Sequence, residues 1–198
     1  MTGGLRRALV TAVAVTVLLA GCASDPLAEQ YREGSGKGYI AGDGSVSEIP
    51  EAQRGEPISF NGTTELGEQV SSDDFAGQVV VVNFWYASCA PCRAEAPDLQ
   101  ALNEQFAGAG ATFLGVNVRD QAPSAIAFHE NYGITYPSVI DSTDGGMQLA
   151  FSGSIPPNAV PTTLVLDTSG RVAARILGQV SEASILETLI RDTIVESE

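Results

Sequence analysis

Gln78 to Tyr86 reads QVVVVNFWY, a β-branched apolar run with almost no polar break. That is the pattern of a strand buried on both faces. Residues 91–107 follow with Leu99, Leu102 and Phe106 at helical spacing, which predicts an amphipathic helix ended by Gly108 and Gly110. Ala111 to Val118, ATFLGVNV, predicts the next strand. Residues 122–132 predict a helix, with Pro123 in its first turn and Gly133 at its end. A short strand over 138–140 and a helical turn over 145–151 come next. Strands over 162–166 and 171–177 are joined by Asp167-Thr168-Ser169-Gly170, a turn sequence. Residues 181–195 predict a closing helix, with Ile185, Leu186, Leu189, Ile190 and Ile194 forming its apolar stripe. Before the long strand, Ile58-Ser59-Phe60, Asn61-Gly62 and a segment around Val70 predict a β-hairpin turning at Asn61-Gly62. The order ββ, βαβα, ββα describes one α/β domain over residues 57–198.

The first 56 residues follow other rules. Arg6 and Arg7 precede an apolar run, ALVTAVAVTVLLA, that closes on Leu19-Ala20-Gly21-Cys22. The charged start, short apolar core and small residues have the form of a secretory signal over residues 1–21. The run is about 13 residues long, short of the ~20 that span a bilayer. Residues 22–56 are polar and rich in Gly and Ser, including GSGKG and GDGS. They lack an apolar period and are expected to act as a flexible tether.

Charge and cysteine count narrow the chemistry. Removing Arg6 and Arg7 with the signal leaves 8 basic against 24 acidic residues, a net charge near −16. Such a chain lacks the basic footprint that nucleic acid requires, and any membrane contact has to come from a lipid rather than an electrostatic patch. The chain has three cysteines. If Cys22 belongs to the leader junction, Cys89 and Cys92 remain as a pair. They enclose almost no loop, so a bridge between them adds little chain-entropy stabilisation and is better explained by reactivity. Zinc needs four ligands in a closed site, and His129 is the only histidine, so no metal is expected. His129 itself is expected on a surface or half-buried helix face.

The motif Trp85-Tyr86-Ala87-Ser88-Cys89-Ala90-Pro91-Cys92-Arg93 sits at a strand-to-helix junction. There the free N–H groups and dipole of the helix start stabilise a thiolate at Cys89. Cys92 lies one turn on, close enough to bridge. Cys89 is expected to be the exposed nucleophile and Cys92 the deeper resolving thiol.

The stretch VVVVNFWYASCAPCRAEAPDL, together with NYGITYPSVIDST and AVPTTLVLDTSGRV, resembles the thioredoxin-like proteins of the TlpA and ResA type. These are bacterial, membrane-tethered thiol–disulfide oxidoreductases of the cell envelope. The resemblance implies a thioredoxin fold: a central mixed sheet flanked by helices, with an N-terminal β-hairpin. It implies a cis-proline loop at Val160-Pro161, with Pro161 against the disulfide and Val160 pairing with an extended substrate. Trp85 is expected as a core aromatic and Tyr86 as one at the rim, and Trp85 is also counted among the substrate-contacting residues. It implies that Glu95 lies by the active site and tunes thiol acidity. Cytosolic thioredoxin carries a buried aspartate where this chain has Asn83, so Glu95 is the expected acid–base group. Leu19-Ala20-Gly21-Cys22 resembles the lipobox of bacterial lipoproteins, which implies lipidation of Cys22 and a lipid anchor outside the cytoplasm.

The expected function is therefore reduction of disulfides in envelope proteins by a Cys89–Cys92 dithiol, with cytochrome c maturation as the client process the resemblance suggests. No cofactor is expected beyond the disulfide itself. A membrane electron donor, client thiols and a monomeric state complete the expectation. An envelope thiol oxidase and a non-catalytic copper- or partner-binding module are the alternatives. Peroxide reduction is disfavoured, because a peroxiredoxin would present a lone peroxidatic cysteine in a Thr- and Pro-rich context.

Overall fold

Strand β4, Val79–Trp85, is buried along its whole length. Successive side chains on a strand point to opposite faces, so β4 feeds two apolar layers at once. Val79, Val81 and Trp85 enter one, with Leu99, Phe106, Phe128 and Leu186. Val80, Val82 and Phe84 enter the other, with Phe60, Met147 and Phe151. A strand clothed on both sides needs neighbours on both edges, and it has them.

The structure, a computed structural model, describes residues 45–154 and 159–197. The other strands are β1 (Val46–Glu48), β2 (Asn61–Thr63), β3 (Gln69–Ser71), β5 (Ala111–Asn117), β6 (Ser138–Ile140), β7 (Thr162–Leu166) and β8 (Val172–Leu177). The helices are α1 (Ala90–Phe106), α2 (Ala122–Tyr132), α3 (Gly146–Ala150) and α4 (Ala183–Val195). Six strands form one sheet in the order β1-β8-β7-β4-β5-β6. β4, β5 and β6 run parallel, and β7 pairs antiparallel with β4 on its other edge. This is the mixed sheet with flanking helices expected of a thioredoxin fold, and from β4 onward element ends agree with the sequence pattern to within about two residues.

The hairpin exists, but its turn is elsewhere. Asn61 and Gly62 lie inside β2, which pairs with β3. The turn falls at Thr64–Gly67, where the Gly67 N–H donates to the Thr64 carbonyl at 2.9 Å and Gly67 takes φ +84°. Gly62 is needed for a different reason: a Cβ there would lie 2.4 Å from Val139 Cγ1. Residues 58–60, expected as the first strand, run as irregular chain, tied to the β7–β8 turn by the Ile58 N–H to the Gly170 carbonyl.

The tether boundary at Glu56 also needs correction. Val46–Glu48 adds β1 to the edge of β8. Arg54 follows with its side chain only 3% exposed. Its guanidinium meets Asp167 at 3.2 Å, pairs with Glu196, and donates from Nε to the Ile49 carbonyl. Asp167 also holds Arg171 at 2.8 Å and accepts from the Ser169 and Arg171 N–H groups. The polar composition of this segment hid its role, because a three-residue edge strand and one buried cation leave no apolar period. The expected signal over 1–21, Cys22 and the rest of the expected tether lie outside the described residues.

Removing one partner of a buried ion pair typically costs about 3–5 kcal/mol, and Asp167 retains Arg171 as a second partner. A chain beginning at Pro57 is therefore expected to be less stable than one beginning at Ser45 by about 2–4 kcal/mol, read as a lower denaturant midpoint in parallel unfolding curves. Equal midpoints would show that residues 45–56 add nothing to the fold.

Candidate active site

The end of β4 hands the chain to α1 within a few residues, and both cysteines sit at that junction. Cys89 is the N-cap of α1 and Pro91 lies in its first turn. A cap side chain can accept from an otherwise unpaired N–H of the first turn. Here Cys89 Sγ accepts from the Cys92 N–H at 3.1 Å. Cys89 and Cys92 form a disulfide. Each is 2% exposed, so the expected contrast between an open Cys89 and a deep Cys92 is absent in the oxidised form. The asymmetry lies in their surroundings. The Cys89 sulfur is aimed at a backbone donor, while Cys92 borders a narrow crevice with Asn83, Trp85, Phe128, His129 and Tyr136.

The loop before Cys89 is pinned from β5. The Asp120 carboxylate accepts from the Ala87 N–H at 2.6 Å and from Asn117 Nδ2 at 3.0 Å. Asn117 Oδ1 accepts in turn from the Arg119 and Asp120 N–H groups. The Cys89 N–H donates to the Tyr86 carbonyl. Two arginines lie over this loop: Arg119 Cζ stands 4.2 Å from the Tyr86 ring centroid, and Arg93 Nη1 approaches the Ala87 carbonyl at 3.4 Å.

Val160-Pro161 is a cis peptide bond at the entrance to β7. Pro161 is buried, and Val160 packs on the apolar layer that contains both cysteines. The cis bond agrees with the loop the resemblance implies at Val160-Pro161. Trp85 is not available in the same way. It is 3% exposed, its indole N–H donates to Ser138 Oγ at 3.1 Å, and its ring stacks on Phe128 and His129. The assignment of Trp85 as a substrate contact is therefore corrected: its faces and its polar edge are already occupied in the core.

Glu95 is wholly buried. Its Oε1 accepts from Asn83 Nδ2 at 2.9 Å and its Oε2 accepts from the Val180 N–H at 2.7 Å. Asn83 donates also to Thr163 Oγ1, directly across the β4–β7 pair. Burial pushes the Glu95 carboxyl up to about 7, partly offset by the Val180 and Asn83 hydrogen bonds, with Asp98 adding to the rise. Burial also raises the Tyr136 hydroxyl far above its ordinary range, and the Glu95 carboxyl adds to it.

A second buried network was not foreseen. His129, expected at or near the surface, is buried between Ser138 and Glu65. Its Nε2 is 3.1 Å from Ser138 Oγ and its Nδ1 3.3 Å from Glu65 Oε1, while the Ser138 N–H donates to Glu65 Oε2. Burial opposes ionisation of Glu65, but these hydrogen bonds outweigh it and hold the carboxyl below its usual value. The β2–β3 turn, α2 and the start of β6 meet here, with Glu65 some 64 residues before His129 in the chain, and no local pattern marks such a meeting. Gly115 lets it form, since a Cβ would fall 2.0 Å from Ser138 Oγ.

A separate cleft of about 390 Å³ lies by the start of β4, lined by Ile58, Phe60, Phe75 and the 167–170 turn, away from the cysteines at the strand's other end. Among the described residues, no group of three or more His, Cys, Asp or Glu side chains is arranged to hold a metal ion.

Comparison with known proteins bears on this geometry. The AhpC/TSA family profile matches residues 55–175. "Thiol-disulfide oxidoreductase ResA" of Geobacillus kaustophilus is 33% identical over 119 residues, 60% of this chain and 66% of the relative. "Thiol:disulfide interchange protein HelX" of Rhodobacter capsulatus is 30% identical over 158 residues, 78% of this chain and 85% of the relative. Among solved structures, a secreted thiol-disulfide isomerase from Corynebacterium glutamicum is 35% identical with a TM-score of 0.69, covering 78% of this chain and 96% of that one. The residues matched by the family profile contain the strand, the cysteine pair and the helix that carries Glu95. The chain accordingly belongs to the AhpC/TSA family, within it to the TlpA/ResA type, and is a thiol–disulfide oxidoreductase.

Proposed function

We propose that this protein is held to a membrane outside the cytoplasm through lipidated Cys22 and reduces disulfides in envelope proteins with the Cys89–Cys92 dithiol. The observation that carries the reading is the disulfide at the start of α1, with Cys89 Sγ aimed at the Cys92 N–H and the cis Val160-Pro161 segment packed on the same layer. In the reduced form the same N–H and the helix terminus favour a thiolate on Cys89. That thiolate attacks one sulfur of the client disulfide, and the other client sulfur leaves as a thiolate and takes up a proton. Cys92, deprotonated, then attacks Cys89 in the mixed disulfide and releases the second client thiol. Two electrons pass to the client, and a dithiol donor at the membrane returns them. The backbone of Val160 is suited to pair with an extended client. Cytochrome c maturation is the client process in this reading, and it rests on the TlpA/ResA resemblance.

Glu95 is the group that takes the Cys92 proton. It lies one helical turn from Cys92, and Asn83, which borders the crevice beside Cys92, donates to its carboxylate. A carboxyl that titrates near neutral pH is matched to moving a thiol proton there. The reducing direction is supported by the lack of any cation between the cysteines and by the carboxyl behind them, both of which limit stabilisation of the reduced form; Arg93, one residue past Cys92, works against it but is exposed and screened by solvent. The similarity to a secreted isomerase favours disulfide reshuffling without net reduction and makes the potential the deciding quantity. A lipid on Cys22 supplies the tether, since each buried methylene contributes about 0.8 kcal/mol, and no described helix is long and apolar enough to cross a membrane.

Three single substitutions separate the cysteines. Cys92→Ser is expected to accumulate mixed disulfides with clients and Cys89→Ser is not, seen on non-reducing gels. Cys22→Ala is expected to move the protein out of the membrane fraction, or to leave it held only by an uncleaved signal, with thiol exchange intact. Mixed disulfides from Cys89→Ser instead would reverse the nucleophile.

Equilibration in dithiothreitol or glutathione buffers is expected to give a midpoint more reducing than about −200 mV, against about −120 mV for a strong oxidant. A midpoint at the oxidising end would assign the protein to disulfide formation.

For Glu95, a folded pKa of about 7 against an ordinary 4.5 means that the unfolded chain loses this proton first as pH rises. The corresponding stability is complete below about pH 4.5 and is lost between 4.5 and 7. Glu95→Gln is expected to flatten unfolding free energy over that window and to remove an inflection near pH 7 from the alkylation profile of the thiols. Unchanged curves would leave Glu95 as a buried packing residue.

A further inference from the structure

The chain carries a net charge of −14, yet its free cations are not scattered. Among the described residues there are six arginines and no lysine. Arg54, Arg171 and Arg191 are paired to carboxylates. Arg175 is turned to the Ser154 carbonyl. The remaining two, Arg93 and Arg119, are exposed and have no carboxylate partner among the described residues. Both converge on one three-residue segment, Tyr86-Ala87-Ser88, which leads into Cys89. Arg119 stands over the Tyr86 ring from the β5 side, and Arg93 reaches the Ala87 carbonyl from the first turn of α1.

Neither arginine is needed to hold that segment. Asp120, itself held by Asn117, already binds it by taking the Ala87 N–H at 2.6 Å, whereas the Arg93 contact at 3.4 Å is long for a hydrogen bond. Nor do the two cations serve solubility, since they reduce the magnitude of the net charge instead of raising it. Their guanidinium groups therefore retain free donors beside the redox centre, in the planar arrangement that binds a carboxylate through two hydrogen bonds.

We propose that Arg93 and Arg119 form a specificity surface that selects client cysteines flanked by Asp or Glu. This rests on the oxidoreductase reading above and names the chemistry of its client. The overall negative charge does not cancel the effect. At about 0.15 M ionic strength the Debye length is about 8 Å, so distant carboxylates are screened while guanidinium groups beside Cys89 act at contact range. The surface also disfavours clients with Lys or Arg beside the cysteine, which gives discrimination by repulsion as well as attraction. Charges at the edge of a contact act mainly on association rate and its salt dependence.

The test uses the reduced full chain and three disulfide-bridged peptides, identical except for Asp, Asn or Lys beside each cysteine. Second-order reduction rates are measured at low and at high salt. The expected order is Asp over Asn over Lys, with the Asp-to-Lys ratio about ten-fold at low salt and compressed at high salt, each arginine accounting for about three-fold. The double variant Arg93→Gln, Arg119→Gln is expected to bring that ratio close to one, and Arg93→Lys, Arg119→Lys to retain most of it. Equal rates in the wild type, or an order that survives the glutamine variants, would overturn the charge preference alone. Failure to reduce any of the peptides while Cys89 still alkylates would overturn the reductase reading, and the surface with it.

Discussion

Everything at the redox centre depends on β4 being buried on both faces. A strand with apolar residues above and below cannot lie at an edge or drift in register, because a one-residue slip would exchange the two layers. Its end is therefore fixed in the middle of the sheet, between β5 and β7. The chain that leaves it becomes the first turn of α1 almost at once, and the cap position falls on Cys89. The nucleophile is thus placed by core packing, and its electrostatic environment comes from the helix start that packing forces it to occupy.

One polar residue interrupts the strand, and it is the link between core and chemistry. Asn83 shares the β4 face of Val81 and Trp85 and is paired across the sheet with Thr163. Its amide satisfies Glu95, and the Val180 N–H satisfies the other carboxyl oxygen. Two hydrogen bonds favour ionisation while burial opposes it more strongly, so the carboxyl titrates near neutrality. A buried acid with no donors would stay protonated far above that point, and an exposed one would stay ionised. The balance between desolvation and two specific donors makes the group useful for proton movement.

Around this centre the polar groups divide by their work. Glu65, His129 and Ser138 hold Trp85 from below and tie the hairpin to β6. Asp120 and Asn117 fix the loop before Cys89. Arg54 and Asp167 bind the first described residues to the β7–β8 turn. Arg93 and Arg119, at the loop before Cys89, have no carboxylate partner among the described residues, and this is why they stand out.

By itself the sequence determined the periodic part of the molecule: the order of strands and helices from β4 onward, the placing of Cys89 and Cys92 at a strand-to-helix junction, and, through the resemblance, Pro161 and Glu95. These are readable because period 2, period 3.6, caps and glycine stops are local signals. Tertiary structure decided what no local signal carries. It turned Asn61-Gly62 into strand, because Gly62 lies against Val139. It gathered residues 45–56 into the fold through one edge pairing and one buried arginine. It placed His129 inside, because that depends on Ser138 and Glu65 arriving from other segments. It also set the acidity of Glu95, because desolvation is a property of everything packed around a group and is written at no single position of the chain.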